Sequence, residues 1–362
     1  MNNYKVAVID SLKGWEKLSK PWNELLQKSN SNTIFLTYEW LFSWAETFLT
    51  ENRKLFILSV FQGDELIGIA PWYIEHVSLS VFSFKKIEFL GTPDAGSDYL
   101  DVFVKKGKEK DVAHSIYDFL FKEVPSKWDC LMLHDVPCNS LFLLHFSDRI
   151  EEEGKYAEIH RGSFCPITLL PGKDNDFFSR LSSNRREQFN RHLKILNKEG
   201  KIKHDSFYGK DNKKALNEFF FLYGGKETYS EKNLDFLLEK YLSRCEEKYS
   251  VQIDLLSCND KYIAGLLHLR YQNTLSMYLM AVDKSFNPKI SIGNILVGLC
   301  IIRAINEGIS TYDFLKGNEH YKFHWANDGR SSINLFFCQR KLIPVLFLLK
   351  NFFKYTAKVI LR

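Results

Sequence analysis

The segment Ser310–Arg330, STYDFLKGNEHYKFHWANDGR, gathers Asp313, Lys316, Glu319, His320, Tyr321, Lys322, His324, Trp325 and Arg330 around Gly317. These side chains supply what a group transfer between two bound substrates needs. A base must take the proton of the attacking amine or hydroxyl, and a cation or N–H must stabilise the oxyanion that forms. Alternation over Thr311–Leu315 predicts a strand, Gly317 permits a sharp turn, and Glu319–Ala326 has the spacing of a short helix. Tyr321 and Trp325 fall on one side of that helix and Lys322 on another. A strand end, a glycine and a helix are the parts with which α/β folds commonly hold ligands. The plainer alternative is a solvated turn capped by a packed tryptophan. Candidate bases are Asp313, Glu319, His324 and, upstream, His268; Tyr278 is a candidate donor to a leaving group. A packed core role is the plainer outcome for both His268 and Tyr278, and no single base follows from sequence.

Two further clusters carry charge. Asn287–Gly293 (NPKISIG) leads into an apolar helix predicted over Asn294–Asn306, so Lys289, Ser291, Gly293 and Asn294 stand where a helix N-terminus accepts an anion. Read blandly, Ser291 is only a helix cap. Phe177–Leu196 is predicted as one basic helix. Phe178, Leu181, Phe189, Leu193 and Leu196 lie on one side, with Arg185, Arg186 and Arg191 elsewhere. The arginines read either as a solvated face or as an anion clamp for a phosphate-bearing substrate. The patch is short and lacks interleaved aromatics, so nucleic acid is not expected as a partner.

The elements that must position these residues follow from pattern. The chain has 362 residues, 45% hydrophobic and 15% aromatic, with net charge +5, enough for two ordinary domains. FILSVFQGDELIGIAPW and VQIDLLSCNDKYIAGLLHL each read as strand, Asp-containing turn and return strand with an early glycine. Asp64 and Asp260 lie 196 residues apart, and Gly68 and Gly265 lie 197 apart. Duplication of one α/β unit is the economical reading, two coincident hairpins the alternative. The expected division is 1–165, 166–340 with the basic helix 177–196, and a tail 341–362. That tail repeats Lys350, Lys354, Lys358 and Arg362 on one face and reads as a basic amphipathic helix, either docked or lying on an anionic membrane surface. The seven cysteines form no CxxC pair and read as reduced core residues. No metal site is expected. Met1–Asp10 reads as a polar start before a strand rather than an export signal. No run of about 18 apolar residues predicts a membrane span. The expected location is the cytoplasm, with peripheral membrane contact through the tail.

The order of elements resembles the GNAT acyltransferase fold, present twice. TIFLTYEWLFSWAETF, GDELIGIAPW, EFLGTPDAGSDYLDVF and, most specifically, DFLKGNEHYK at 313–322 resemble the CelD/BioF-like acetyltransferase family of bacterial polysaccharide biosynthesis, over most of residues 15–338. That family is related to the FemABX aminoacyl transferases, whose Y-K-F-K region resembles Tyr321–Lys322–Phe323. The resemblance implies a tandem GNAT-like α/β fold of mixed sheets flanked by helices. It implies acyl-CoA as co-substrate and a sugar, nucleotide-sugar or lipid-linked glycan as acceptor. It implies Lys322 as the group that stabilises the reacting carbonyl, with Asp313, Glu319, His268 and Tyr278 as further catalytic candidates. Lys289, Ser291, Gly293 and Asn294 would then hold the acyl donor, and Arg185, Arg186, Arg191, Lys316, Tyr321 and Trp325 the acceptor. The usual Q/R-x-x-G-x-G/A phosphate loop is reduced here to KISIG. An aminoacyl-tRNA-dependent transferase acting on a peptidoglycan precursor, and a catalytically silent scaffold of a polysaccharide synthase, are the competing readings.

Overall fold

Continuous buried runs in the two glycine-bearing hairpins set the sheets, and the amphipathic segments between them cover the sheet faces. The computed structural model describes residues 4–339 apart from 80–81, 173, 210–212, 225–228 and 246–250. The tail 341–362, expected as an amphipathic helix, lies outside the described residues. The chain forms two compact units, residues 1–162 with 332–362, and residues 163–331. Strand 332–338, expected in the second half, therefore groups with the first unit.

The first unit runs β1 (Tyr4–Ile9), α1 (Leu12–Glu16), α2 (Ser19–Gln27), α3 (Tyr38–Phe48), β2 (Arg53–Leu55), β3 (Ile57–Gln62), β4 (Glu65–Ala70), β5 (Trp72–Leu79), β6 (Phe82–Phe89), β7 (Phe103–Val104), α4 (Glu109–Asp118), β8 (Cys130–Pro137) and α5 (Leu141–Glu152). One sheet has the order β1-β3-β4-β7. Strands β8, β6, β5 and β2 form a second, in that order. Six tryptophans, Trp15, Trp22, Trp40, Trp44, Trp72 and Trp128, are fully buried in this unit, which explains the high aromatic content. Pro21 sits inside the first turn of α2, where its missing N–H costs nothing, and α1 and α2 are separated at residues 17–18.

The chain enters the second unit within β9 (Glu158–Leu169) and leaves it within β15 (Asp328–Cys338), whose last residues pair with β8. Between them lie α6 (Asp174–Arg180), α7 (Ser183–Glu199), β10 (Ile202–Tyr208), α8 (Lys213–Tyr223), α9 (Tyr229–Arg244), β11 (Val251–Cys258), β12 (Lys261–Tyr271), β13 (Thr274–Val282), α10 (Ile292–Asn306), β14 (Thr311–Asp313) and α11 (Lys322–Trp325). The sheet order is β10-β11-β12-β13-β14-β9. The repeated hairpins are real: β1-β3-β4 and β10-β11-β12 are both antiparallel, and each hairpin carries a register shift just before its turn. Gly68 and Gly265 serve the same purpose, since a side chain at either would strike a helix residue, Val112 or Phe219.

The basic helix expected over 177–196 is two helices. Ser182 takes extended ψ of 150° and separates α6 from α7, in keeping with the Ser-Ser-Asn run at 182–184 that favours a new helix start. Helix α11 is shorter than expected, four residues rather than eight.

Candidate functional site

The site begins where two strands part. β13 pairs with β14 in parallel over Thr274–Ser276 and Thr311–Asp313 only. β13 then continues to Val282 beside β12, while the chain turns away after Asp313. A register shift between Leu267 and His268 leaves Tyr278 as the extra residue of β13, a bulge at the point of parting. Tyr278 is half-buried there.

Helix α10 starts over this gap. A side chain at Gly293 would meet Met280 Sδ at 2.9 Å and Val282 Cγ2 at 3.2 Å, so the first turn lies against the unpaired half of β13. Gly293 thus permits close packing on the strand. Ser291 is the N-cap residue but its hydroxyl makes no capping bond. Its backbone N–H donates instead to Nδ1 of His192 on α7, at 3.4 Å. Burial and the adjacent Arg191 depress the His192 pKa, in keeping with a neutral ring that accepts this bond. Lys289 is exposed, with its backbone N–H on Asn287 Oδ1 at 2.9 Å. Asn294 Oδ1 accepts from Trp325 Nε1 at 2.5 Å.

The loop after β14 closes the other side. Asp313 is 1% exposed. Its Oδ1 accepts from the Leu315 N–H at 2.8 Å, and Oδ2 lies 3.6 Å from Arg330 Nη1. That holds Leu315 at φ 56°, a conformation costly for a leucine. Gly317 follows at φ 142°, where a Cβ would stand 2.5 Å from Lys322 Nζ; only glycine fits. Lys322 is buried, and its ammonium donates to the Lys316 carbonyl at 2.8 Å and pairs with Glu319 Oε2 at 3.0 Å. Glu319 itself is exposed over half its surface. Tyr321 is half-buried against the core, and burial raises its pKa. Trp325 is 3% exposed, stacked on Phe177 and edge-on to Phe189. Among the residues expected to meet the acceptor, Trp325 therefore packs in the core and locks α11 to the first turn of α10.

The arginines of α7 are partly spent within the chain. Arg185 Nη1 donates to the His324 carbonyl at 3.0 Å, and Arg186 Nη1 lies 3.5 Å from the Phe178 carbonyl. Arg191 is exposed.

His268 belongs to a different cluster, beneath the second half of α10. Asp254, fully buried in β11, is its centre. Asp254 Oδ1 accepts from Ser206 Oγ at 2.8 Å and faces His204 Nε2 at 3.1 Å. Oδ2 accepts from Gln252 Nε2 at 2.9 Å and Arg303 Nη2 at 2.7 Å; Arg303 Nη1 also bonds Oδ1. His268 Nδ1 lies 3.1 Å from Oδ2, and its Nε2 is 2.7 Å from the Tyr312 hydroxyl. We place the ring proton on Nδ1, facing the carboxylate, so that Nε2 accepts from Tyr312. Glu307 extends the network through Arg270 at 2.7 Å and Tyr208 at 3.0 Å. Burial alone would raise the Asp254 pKa, but His204, His268 and Arg303 hold it well below the usual carboxylate range. Burial lowers that of His268 and pushes the Tyr312 hydroxyl and the Cys300 thiol up. His204, Asp254 and Cys300 offer three donor atoms within 4.8 Å of one another. Arg303 already bonds both oxygens of that carboxylate, so the set is a guanidinium cradle.

The expected residues thus fall into two groups. Lys322, Glu319, Lys316, Asp313, Asn294 and Trp325 converge where β13 and β14 part. His268 sits fully buried in the network, and its partner Tyr312 is the chain neighbour of Asp313. Sequence reasoning missed His192, Asp254, Arg303 and Tyr312. Asp254 did leave a signal, since VQIDLL places one carboxylate in a mostly apolar strand.

This arrangement, a mixed sheet whose central parallel strands part under a helix N-terminus, defines the GNAT fold. Residues 183–323 match the family model described as an acetyltransferase (GNAT) domain, so the chain carries a transferase domain of that class. Similar solved structures extend over nearly the whole chain. FemX aligns with TM-score 0.59 and 12% identity, covering 94% of this chain and 99% of its own. L-PGS from Bacillus licheniformis aligns with TM-score 0.54 and 12% identity, covering 92% and 96%. A protein of unknown function from Bacteroides thetaiotaomicron aligns with TM-score 0.53 and 12% identity, covering 93% and 100%. At such identity the likeness is one of fold. No curated protein matches the sequence. Among the described residues no helix is long and apolar enough to cross a membrane.

Proposed function

We propose that the chain transfers an acyl group from acyl-CoA to an amino or hydroxyl group of a sugar, nucleotide-sugar or lipid-linked glycan, in bacterial surface or extracellular polysaccharide biosynthesis, as the CelD/BioF-like resemblance implies. The observation that carries the acyl-transfer reading is the parting of β13 and β14 with the α10 N-terminus above it, inside the GNAT match. In this reading the donor enters along the unpaired half of β13. The first-turn N–H groups of α10, with Lys289, hold its phosphates. The buried Lys322 ammonium stabilises the oxyanion and Glu319, accessible beside it, takes the acceptor proton. Asp313, Trp325 and Asn294 position that loop, and Tyr278 faces the leaving thiolate. Arg191 is the arginine of α7 best placed to meet an anionic acceptor.

Calorimetry with acetyl-CoA and longer acyl-CoAs tests this. Gly293 is unsuitable for the variant, because any side chain there meets Met280. Ser291 is exposed, so Ser291→Glu puts a carboxylate at the helix start without touching the core. Micromolar binding weakened at least about tenfold by this change is expected. Absence of binding by every CoA species overturns the reading.

A second reading, aminoacyl transfer from a charged tRNA, is favoured by the full-length fold likeness to FemX and by the Ser291 N–H already being engaged by His192. Copurifying tRNA together with no CoA binding would select it.

A further inference from the structure

Two cysteines of the first unit face each other across a strand pair. Cys130 opens β8 and Cys338 ends β15, and they are directly opposite in the antiparallel register. The next pair outward is Gln339 and Asp129, where the Gln339 N–H donates to the Asp129 carbonyl at 2.9 Å. Antiparallel ladders alternate, so Cys130 and Cys338 occupy a non-hydrogen-bonded position, where opposed Cβ atoms come closest. Their sulfurs are 2.6 Å apart. Cβ separation at such a position matches what a disulfide spans. The surroundings are apolar: Phe84, Met132, Val77 and Phe336 pack around the two thiols.

We infer that Cys130 and Cys338 are an oxidisable pair, a modification site that closes to a cross-strand disulfide when the protein meets a low-molecular-weight disulfide. The two cysteines have different roles. Cys338 is half-buried and so within reach of solvent, whereas Cys130 is 1% exposed. The neighbouring Cys338 and burial push the Cys130 thiol up, so Cys130 is the weaker first nucleophile. Cys338 as thiolate attacks the reagent disulfide RS–SR, forms Cys338–S–SR and releases one RS⁻. Cys130 then loses its proton and attacks the Cys338 sulfur, forming the S–S bond and expelling the second RS⁻. Two protein thiols are oxidised and one reagent disulfide is reduced to two thiols. The bond pins the end of β15 to β8 and closes a loop of some two hundred residues, a length at which a cross-link strongly restricts the unfolded chain.

The test is incubation of the full-length protein with oxidised glutathione near pH 8, followed by peptide mass mapping without reduction. Cys138, which is exposed, is the internal control. The expected result is a peptide pair joined through Cys130 and Cys338, about 2 Da lighter than the two reduced peptides together, while Cys138 carries a glutathione adduct. Cys130→Ser should trap a glutathione adduct on Cys338, and Cys338→Ser should leave Cys130 unmodified. Cys130→Ala repeats the trap should serine fail to fold at that buried position. A stable glutathione adduct on Cys338 in the wild type, or two unmodified thiols where Cys138 has reacted, overturns the inference.

Discussion

Replacing Lys322 by Met separates chemistry from architecture, because the structure assigns the two very different costs. The Lys322 side chain is 5% exposed, and its ammonium makes one bond to the Lys316 carbonyl at 2.8 Å and one ion pair to Glu319 at 3.0 Å. Methionine keeps most of the stem and its packing and removes the charge. A hydrogen bond involving a charged group contributes about 1.5–3 kcal/mol. The half-exposed Glu319 adds at most about 1 kcal/mol, and relief from burying an ammonium offsets part of both. The net loss is therefore about 1–2 kcal/mol, small beside the roughly 5–15 kcal/mol stability of an ordinary domain, so the variant stays folded. If Lys322 holds the oxyanion, its removal costs about 3–4 kcal/mol of transition-state stabilisation, roughly 10²–10³ in kcat. The assay follows thiol release from acetyl-CoA with a panel of amino and hydroxyl sugars, with a thermal melt on the same sample. A near-native melt and a rate within about threefold of wild type would refute the assignment.

Two further outcomes follow from the buried network. Asp254→Ala leaves the Arg303 guanidinium, 18% exposed, without its carboxylate, and should destabilise the second unit by about 3–5 kcal/mol in a denaturant titration; a loss below about 1 kcal/mol would mean water replaces the carboxylate. Acid should unfold the protein in two stages. The folded pKa of His268 is depressed, so its contribution is full above about pH 6.5 and is lost as pH falls below that. The folded pKa of Asp254 is likewise depressed, so its contribution is full above about pH 4 and is lost as pH falls further. A melting temperature that stays flat from pH 7 to pH 4 would contradict the His268 part, and His268→Gln should shrink the upper stage, to which His192, also depressed by burial, contributes.

Much of this was legible in the chain. The two hairpins with their early glycines and the segment from Asp313 to Lys322 follow from apolar runs and turn chemistry, which are local. Position along the chain did not reveal partners. Trp325 reads as a ligand platform until Phe177, Phe189 and Asn294 are seen around it. Arg185 and Arg186 read as a phosphate clamp until two backbone carbonyls take them. His268 reads as a core histidine or a base, and the structure places it in the core, enclosed by Asp254 and Tyr312.

The sequence by itself determined the repeated α/β units and the identity of the residues after β14, since side-chain period and glycine conformation depend only on neighbours in the chain. Tertiary structure alone decided which charges remain available. Lys322 and Glu319 stay together at the strand ends, while Asp254, His204, His268 and Arg303, drawn from four elements across a hundred residues, neutralise one another. A buried ionisable group must find a partner or lose its charge, and those partners are brought by the pairing of β10, β11 and β12 and, for Arg303, by the packing of α10 on the sheet, which no local pattern records.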